Sequence, residues 1–80
     1  MSWNHRVVRR IYPNTHMDDS MLYEIYETYY DKDGNINGLT EEPIRIREET
    51  VDDLRKTIER LTKCLEHPII DYDTLQEIKT

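Results

Sequence analysis

The histidines and the single cysteine are the residues of this 80-residue chain best suited to nucleophilic, proton-transfer or soft-metal chemistry. Cys64 and His67 lie three residues apart at the end of a predicted helix, and no pair has the spacing of a zinc site. A lone cysteine beside an apolar helical stripe is more often a packing residue. We therefore predict no catalytic residue, no metal, no cofactor and no enzyme. The residues considered are His5, His16, His67 and Cys64.

Oxygen-bearing side chains recur in the middle of the chain with the spacing of a calcium-binding loop. The resemblance to an EF-hand loop fails because its sixth position, which needs glycine for a sharp turn, is Ile36, and its eighth, normally apolar, is Gly38. The dipeptides Asp33-Gly34 and Asn37-Gly38 instead favour hairpin turns. We predict an ordinary polar hairpin turn. The oxygen donors are Asp31, Asp33, Asn35, Asn37 and Glu42.

The tyrosines could form a platform that stacks on bases or on a flat ligand. Base-stacking proteins pair such platforms with basic grooves, whereas Glu24 and Glu27 lie inside the tyrosine-rich segment. Cross-strand packing, with these acids facing arginines of neighbouring strands, is the favoured interpretation. Aromatic residues left exposed would form a partner-binding surface. The candidates for this surface are Trp3, Tyr12, Tyr23, Tyr26, Tyr29 and Tyr30.

The net charge of −6 is unevenly distributed along the chain. Residues 1–16 carry three arginines and no acid, residues 17–43 carry eight acids against one lysine, and residues 44–80 carry nine acids against seven bases. An acidic chain repels phosphate backbones, so direct nucleic-acid binding is disfavoured. The acidic middle leaves open an inhibitor that mimics nucleic acid and binds a nucleic-acid-binding protein.

The chain shows no feature of secretion or membrane insertion. Its start lacks the apolar core of a signal peptide, and no run approaches the roughly 18 apolar residues of a membrane span. One cysteine allows no intrachain disulfide, which fits a reducing compartment. We expect a cytoplasmic protein without membrane contact.

The elements that must position these residues are predicted from periodicity. Trp3–Tyr12 and Leu22–Tyr30 are rich in β-branched and aromatic residues and predict two strands, the first ending at the turn Pro13-Asn14. A third strand starts near Leu39 and is clearest at residues 44–47, and the nearby proline favours an edge position.

After Thr50, a predicted N-cap, the apolar period changes to that of an amphipathic helix, which ends at His67-Pro68. The fold class is therefore α+β: a three-stranded antiparallel β-meander packed on one amphipathic α-helix, with a short C-terminal extension. Residues 1–73 form one small domain, and residues 74–80 form a tail that is either a short helix or disordered. The predicted apolar side of this helix consists of Val51, Leu54, Ile58, Leu61 and Leu65.

Three segments together resemble a group of short, uncharacterised bacterial proteins over residues 1 to about 73. The segments are MSWNHRVVRRIYP, YEIYETYYDKDGNINGLTEEPI and EETVDDLRKTIERLTKCLEHPIIDYD. The resemblance implies a small cytoplasmic domain and supplies no activity or site residue. A looser likeness to antitoxins with a truncated double-stranded-RNA-binding-like unit adds an antitoxin-like regulator as an alternative.

These observations favour a binding role over catalysis. An 80-residue chain has a thin core, and its second strand carries apolar side chains on both faces. The leading hypothesis is a non-enzymatic protein-interaction module that acts as a homodimer or with a protein partner.

Overall fold

The chain forms one α-helix and a curled, mixed sheet of four strands. The structure is a computed structural model that describes residues 2–13 and 18–78. Asn14, His16, Lys79 and Thr80, which enter the predictions above, lie outside the described residues. The strand order is β3-β2-β1-β4. The elements are β1 (Ser2–Tyr12), β2 (Ser20–Tyr30), β3 (Ile36–Leu39), α1 (Val51–Thr62), a 3₁₀ turn (Lys63–Glu66) and β4 (Ile70–Asp71).

The antiparallel pair of β1 and β2 is the frame of the sheet. Ser2 lies opposite Tyr30 and Tyr12 lies opposite Ser20, so that the two strands pair over their full length. Directly opposite residues share a side of a sheet, and even-numbered residues here face even-numbered ones. We call the two sides of this pair the even face and the odd face.

The core lies on the even face. Val8, Tyr26 and Ile70 are fully buried there. Val8 is next to Ile70 because β4 pairs with β1 in parallel. Side chains from both edges of the sheet pack onto this core, which is how a curled sheet closes over a small apolar cluster. The packing residues are Ile36, Leu39 and Tyr72.

The C-terminal segment is part of the sheet. The Tyr72 N–H donates to the Arg9 carbonyl (3.0 Å), and the Ile78 N–H donates to the Ile69 carbonyl (2.7 Å). Within residues 74–78, which we had assigned to the tail, Glu77 forms an antiparallel bridge with Ile70. The segment therefore continues the sheet beyond β4.

The third strand differs from the prediction. It runs over Ile36–Leu39, and residues 44–47 form no strand. Backbone pairing with β2 resumes only at Ile44, whose N–H donates to the Ile25 carbonyl (2.8 Å). Pro43, which has no N–H to donate, lies in the interrupted stretch between the Thr40 and Ile44 hydrogen bonds to β2.

The segment between β2 and β3 forms the predicted polar hairpin turn. The Gly34 N–H donates to the Asp31 carbonyl (3.0 Å), and Gly34 has φ +84°. The Asp31 carboxylate also accepts the N–H groups of Asp33 (2.9 Å) and Asn35 (3.0 Å). Gly38, predicted to lie in a second turn, instead pairs with Tyr29 inside β3.

The helix begins where the sequence predicts. The Thr50 hydroxyl accepts the Asp53 N–H at 3.0 Å, which satisfies one of the free N–H groups of the first turn. The predicted packing of the whole apolar stripe onto the sheet is wrong. Leu61 is buried, but Val51 and Ile58 are 73% and 48% exposed.

The prediction of a three-stranded meander is also corrected. The α+β class with one helix is confirmed, but the sheet has four strands because β4 adds a parallel pair. A two-residue strand has no periodicity from which it could be predicted.

Candidate functional site

The connection between the two edges of the sheet passes over the odd face. The chain leaves the β2 edge near Ile44 and returns at the opposite edge as β4. On the way, the 3₁₀ turn brings Cys64 to a cavity that is also lined by Trp3, His5 and Glu27, three residues of the odd face. The cavity has a volume of about 690 Å³. We call it the Cys64 cavity.

The Cys64 cavity gathers residues that are distant in the sequence. His5 and His67 both line it, together with Arg60 and Lys63. The spacing of these residues in the sequence does not predict that they line one cavity, because their proximity depends on how the connection crosses the sheet. His16, the remaining histidine, lies outside the described residues.

The environment of Cys64 opposes ionisation of its thiol. Burial raises the pKa of the Cys64 thiol, which keeps it protonated at neutral pH and makes it a weak nucleophile. His5 is packed edge-on against Trp3, with ring centroids 5.4 Å apart. Among residues 2–13 and 18–78, no group of three or more His, Cys, Asp or Glu side chains is placed to hold a metal ion.

Two of the six aromatic candidates, Tyr26 and Tyr30, lie on the even face, and their hydroxyl groups form hydrogen bonds with side chains of β1. Tyr26 is fully buried, and its hydroxyl accepts a hydrogen bond from Arg10 (3.0 Å). The Tyr30 hydroxyl donates to Asn4 (2.7 Å) and accepts from Arg6 (2.9 Å). Both hydroxyl groups are therefore bound within the chain.

Two other tyrosines are half-buried and bound to carboxylates. The Tyr12 hydroxyl donates to Glu24 at 2.6 Å, and the Tyr29 hydroxyl donates to Glu27 at 3.1 Å. These hydrogen bonds raise the pKa of both tyrosines because they stabilise the protonated phenol. The acids inside the aromatic strand therefore bind tyrosines, whereas Arg6 and Arg9 of β1 pair with acids of the C-terminal segment.

The remaining two candidates, Trp3 and Tyr23, are 54% and 56% exposed. They lie on the odd face, and Ile11 and Met21 on the same face are also exposed. Trp3 lies at one end of the β1–β2 pair, where it lines the Cys64 cavity. Ile11, Met21 and Tyr23 lie together at the other end, and we call these three residues the odd-face patch. It is apolar and aromatic, and it belongs to the side of the sheet that the core does not use.

A second exposed apolar surface lies on α1. Val51, Leu54 and Ile58 share one side of the helix by their spacing, and Val51 and Ile58 are exposed. We call these three residues the helix stripe. We predicted the helix stripe as core, and its periodicity was correct but its burial was not. Periodicity identifies which side of a helix is apolar and cannot tell what covers it.

The three arginines of β1 hold the C-terminal segment rather than forming a free basic surface. Arg9 pairs with Asp71 at 3.2 Å, and the Arg10 guanidinium lies 4.1 Å from the centre of the Tyr72 ring. Arg6 pairs with Glu77 at 2.6 Å. Arg6 and Arg9 are thus paired with carboxylates, and Arg10 lies against an aromatic ring.

Asp71 provides a pH-dependent contribution to stability. Its carboxylate accepts the Thr74 N–H and pairs with Arg9, and these contacts lower its pKa below the ordinary value. Stability from a lowered pKa is present above the unfolded value of about 4 and is lost as pH falls through the folded value. We therefore expect the free-energy difference between wild type and Asp71→Asn to be largest at neutral pH and to shrink below about pH 4.

Urea unfolding at several pH values, followed by circular dichroism, would measure this difference. Asp73→Asn, at an exposed neighbouring position, controls for the loss of one negative charge. A difference between wild type and Asp71→Asn that stays constant down to pH 2 would contradict a stabilising role of the ionised Asp71.

Comparison with known proteins finds no matching family model, no similar curated protein and no similar solved structure. In the described part of the chain, no helix combines the length and apolar character needed to cross a membrane. A functional assignment must therefore be argued from the surfaces described above.

Proposed function

We propose that this chain is a non-enzymatic protein-interaction module that forms a homodimer, with the helix stripe of each copy packed on the odd-face patch of the other. One observation carries the proposal: the apolar side of α1 and the apolar odd face of the sheet are both exposed within the same chain. A helix and a sheet normally bury these surfaces against each other.

The distribution of exposed apolar side chains supports this arrangement. Single exposed apolar residues are ordinary on a protein surface, whereas clustered ones mark interaction sites. Of the nine large apolar residues that are exposed in the described part of the chain, three form the odd-face patch and four more lie in the connection that contains α1. Those four are Ile46, Val51, Ile58 and Leu65.

The dimensions of the chain agree with a helix that is not fully packed on its own sheet. The radius of gyration is 14.2 Å, whereas a compact domain of this length has roughly 12 Å. Because the even face is already closed by the C-terminal segment, the surface available to a partner is the odd face together with α1.

A second copy explains both surfaces at once. In a two-fold dimer each contact occurs twice, so a helix-on-sheet contact uses both the helix stripe and the odd-face patch of each chain. A stable interface buries about 800 Å² on each partner. A contact between two helices alone would be small, because α1 has 12 residues and is therefore only about 18 Å long.

The acidic residues at the two ends of β2 are far apart. Asp18 and Asp19 precede β2, whereas Asp31 and Asp33 follow it. At about 3.3 Å per strand residue the two groups are roughly 35–40 Å apart. The apolar surfaces therefore support self-association more directly than the acids support a decoy.

The dimer can be tested by sedimentation at several protein concentrations. We expect wild type to be dimeric at micromolar concentration and Ile58→Ser to be monomeric, because a polar side chain replaces the centre of the helix stripe. Tyr23→Ser, on the other surface of the proposed interface, should have the same effect. Circular dichroism should show that both variants remain folded, since both positions are exposed in the single chain.

Lys56→Ser is the matched control on the opposite side of α1. Its ion pair with Asp52 is exposed and contributes little to stability, so the variant should stay dimeric. A wild-type chain that sediments as a monomer throughout the micromolar range would overturn the homodimer. Equal dissociation by Lys56→Ser would show that the helix stripe is not the contact.

A further inference from the structure

A second cavity lies on the even face, between the β2–β3 turn and the C-terminal segment. It has a volume of about 490 Å³. Arg6 and Tyr30 line it from the sheet, Ile36 from the start of β3, and Leu75 and Glu77 from the C-terminal segment. We call it the Arg6 cavity. It is separate from the surfaces of the proposed dimer, since it lies on the other side of the sheet.

Arg6 is a buried cation with unused donors. It is only 5% exposed. Its guanidinium donates to the Tyr30 hydroxyl (2.9 Å), the Pro68 carbonyl (2.8 Å) and the Glu77 carboxylate (2.6 Å). A guanidinium has five N–H groups, and the buried Nε has no partner among the described residues. An unsatisfied buried donor on a charged group is unfavourable and calls for an explanation.

Burial alone would lower the pKa of Arg6, but its hydrogen bonds to Tyr30 and Glu77 raise that pKa above the ordinary value. The side chain therefore remains a cation inside the fold. A permanent buried cation with a spare N–H is suited to an anionic oxygen.

Leu75 is the second unusual feature of the Arg6 cavity. Its φ is +59°, in the left-handed region that glycine and asparagine prefer and bulky residues rarely adopt. Its N–H closes a turn onto the Asp71 carbonyl (2.9 Å). A glycine would make the same turn without strain, but it would remove the apolar side chain that lines the cavity opposite the polar Arg6.

We propose that the Arg6 cavity binds a carboxylate that carries a short branched apolar group. The carboxylate contacts the Arg6 guanidinium, and the apolar group packs with Leu75 and Ile36. The planar donor fork of arginine matches a carboxylate, and Arg6 already donates a hydrogen bond to the carboxylate of Glu77. The Glu77 side chain is 49% exposed, so it can turn into solvent and yield its place to the ligand.

Two sources could supply this chemistry: a free branched-chain carboxylic acid and the C-terminal residue of a peptide. Both place a carboxylate a few bonds from a branched apolar group. Isovalerate represents the first source and N-acetyl-leucine the second. N-acetyl-leucinamide is the matched control, because it keeps the apolar group and removes the carboxylate.

The test is a titration of the full chain with each compound, followed by the NMR resonances of the Arg6 Nε–H and of the Leu75 methyl groups. We expect saturable shifts of both resonances with at least one of the acids and none with the amide. Tighter binding of N-acetyl-leucine would identify a peptide terminus, and tighter binding of isovalerate would identify a free acid.

Two variants test the roles of individual residues without removing Arg6, whose loss could unfold the chain. Glu77→Gln removes the internal competitor and should tighten binding several-fold. Leu75→Asn keeps a residue that tolerates the left-handed backbone but removes the apolar wall, so it should weaken binding of the branched acids and not of acetate. No saturable shift with either acid, or equal binding of the amide, would overturn the proposal.

Discussion

Tyr26→Ala should lower the free energy of unfolding by about 3–5 kcal/mol, the range for removing a large buried aromatic ring. Tyr26 is fully buried in one cluster with Val8 and Ile70, and its ring lies 5.9 Å from that of Tyr72. A chain of this size has a total stability of roughly 4–12 kcal/mol. The substitution should therefore leave the protein partly unfolded at room temperature, as measured by urea unfolding and circular dichroism.

Tyr23→Ala is the matched control on the same strand. Tyr23 is exposed on the odd face, so its removal should change the free energy of unfolding of the monomeric chain by about 0.5 kcal/mol or less. The measurement must use a protein concentration at which the chain is monomeric, because Tyr23 belongs to the proposed dimer contact. Equal losses for the two variants would show that the even face is not the core.

Tyr26→Phe separates the ring from its hydroxyl. The hydroxyl accepts one hydrogen bond from Arg10 at 3.0 Å, and a bond of this kind contributes about 1 kcal/mol net. We expect the phenylalanine variant to lose about that amount and to remain folded. A loss as large as that of the alanine variant would place the stabilisation in the Arg10 contact rather than in ring packing.

The alternation of side chains along β2 was predictable, but the identity of its buried face was not. The period of two is set by the strand itself, so it follows from the sequence that Tyr26 and Tyr30 share one face and Tyr23 and Tyr29 share the other. Which group is buried depends on Ile70 and Tyr72, more than 40 residues later in the chain. The sequence of β2 itself contains no signal that this later segment packs on one of its faces.

The two turn dipeptides also show that local sequence preference does not determine the structure alone. Asp33-Gly34 forms the predicted turn because Asp31 accepts the neighbouring N–H groups and Gly34 adopts a positive φ. Asn37-Gly38 has an equally good turn composition and lies in β3, paired with Tyr29. Pairing with the neighbouring strand thus overrides a local preference once the first turn has placed the chain beside β2.

The candidate sites were only partly accessible from the sequence. Six aromatic residues were candidates for a partner surface, and residue type alone could not indicate that Trp3 and Tyr23 are the two that are exposed. The Arg6 cavity was not predicted, because its residues come from β1, the β2–β3 turn and the C-terminal segment. A basic residue within a strand was interpreted as a partner for acids on β2, whereas Arg6 pairs with Glu77 at the far end of the chain.

The helix provides the last prediction, because its apolar side is exposed at Val51 and Ile58 and buried at Leu61, near the C-terminal end. Leu61→Ala should lower the free energy of unfolding by about 2–5 kcal/mol, as expected for a buried leucine. Ile58→Ala, one turn earlier, should cost less than about 1 kcal/mol in the monomeric chain, because a surface position has little packing to lose. A uniformly packed helix would give similar losses at both positions.

Protein concentration distinguishes the two positions further. If the helix stripe binds a second copy, the destabilisation caused by Ile58→Ala should grow as concentration rises, since the variant loses the contribution of dimerisation to stability. The Leu61 effect should stay nearly constant, because Leu61 is buried within one chain. Losses at Ile58 that equal those at Leu61 and do not depend on concentration would mean that α1 is packed on its own sheet, and the helix stripe would then be core rather than a binding surface.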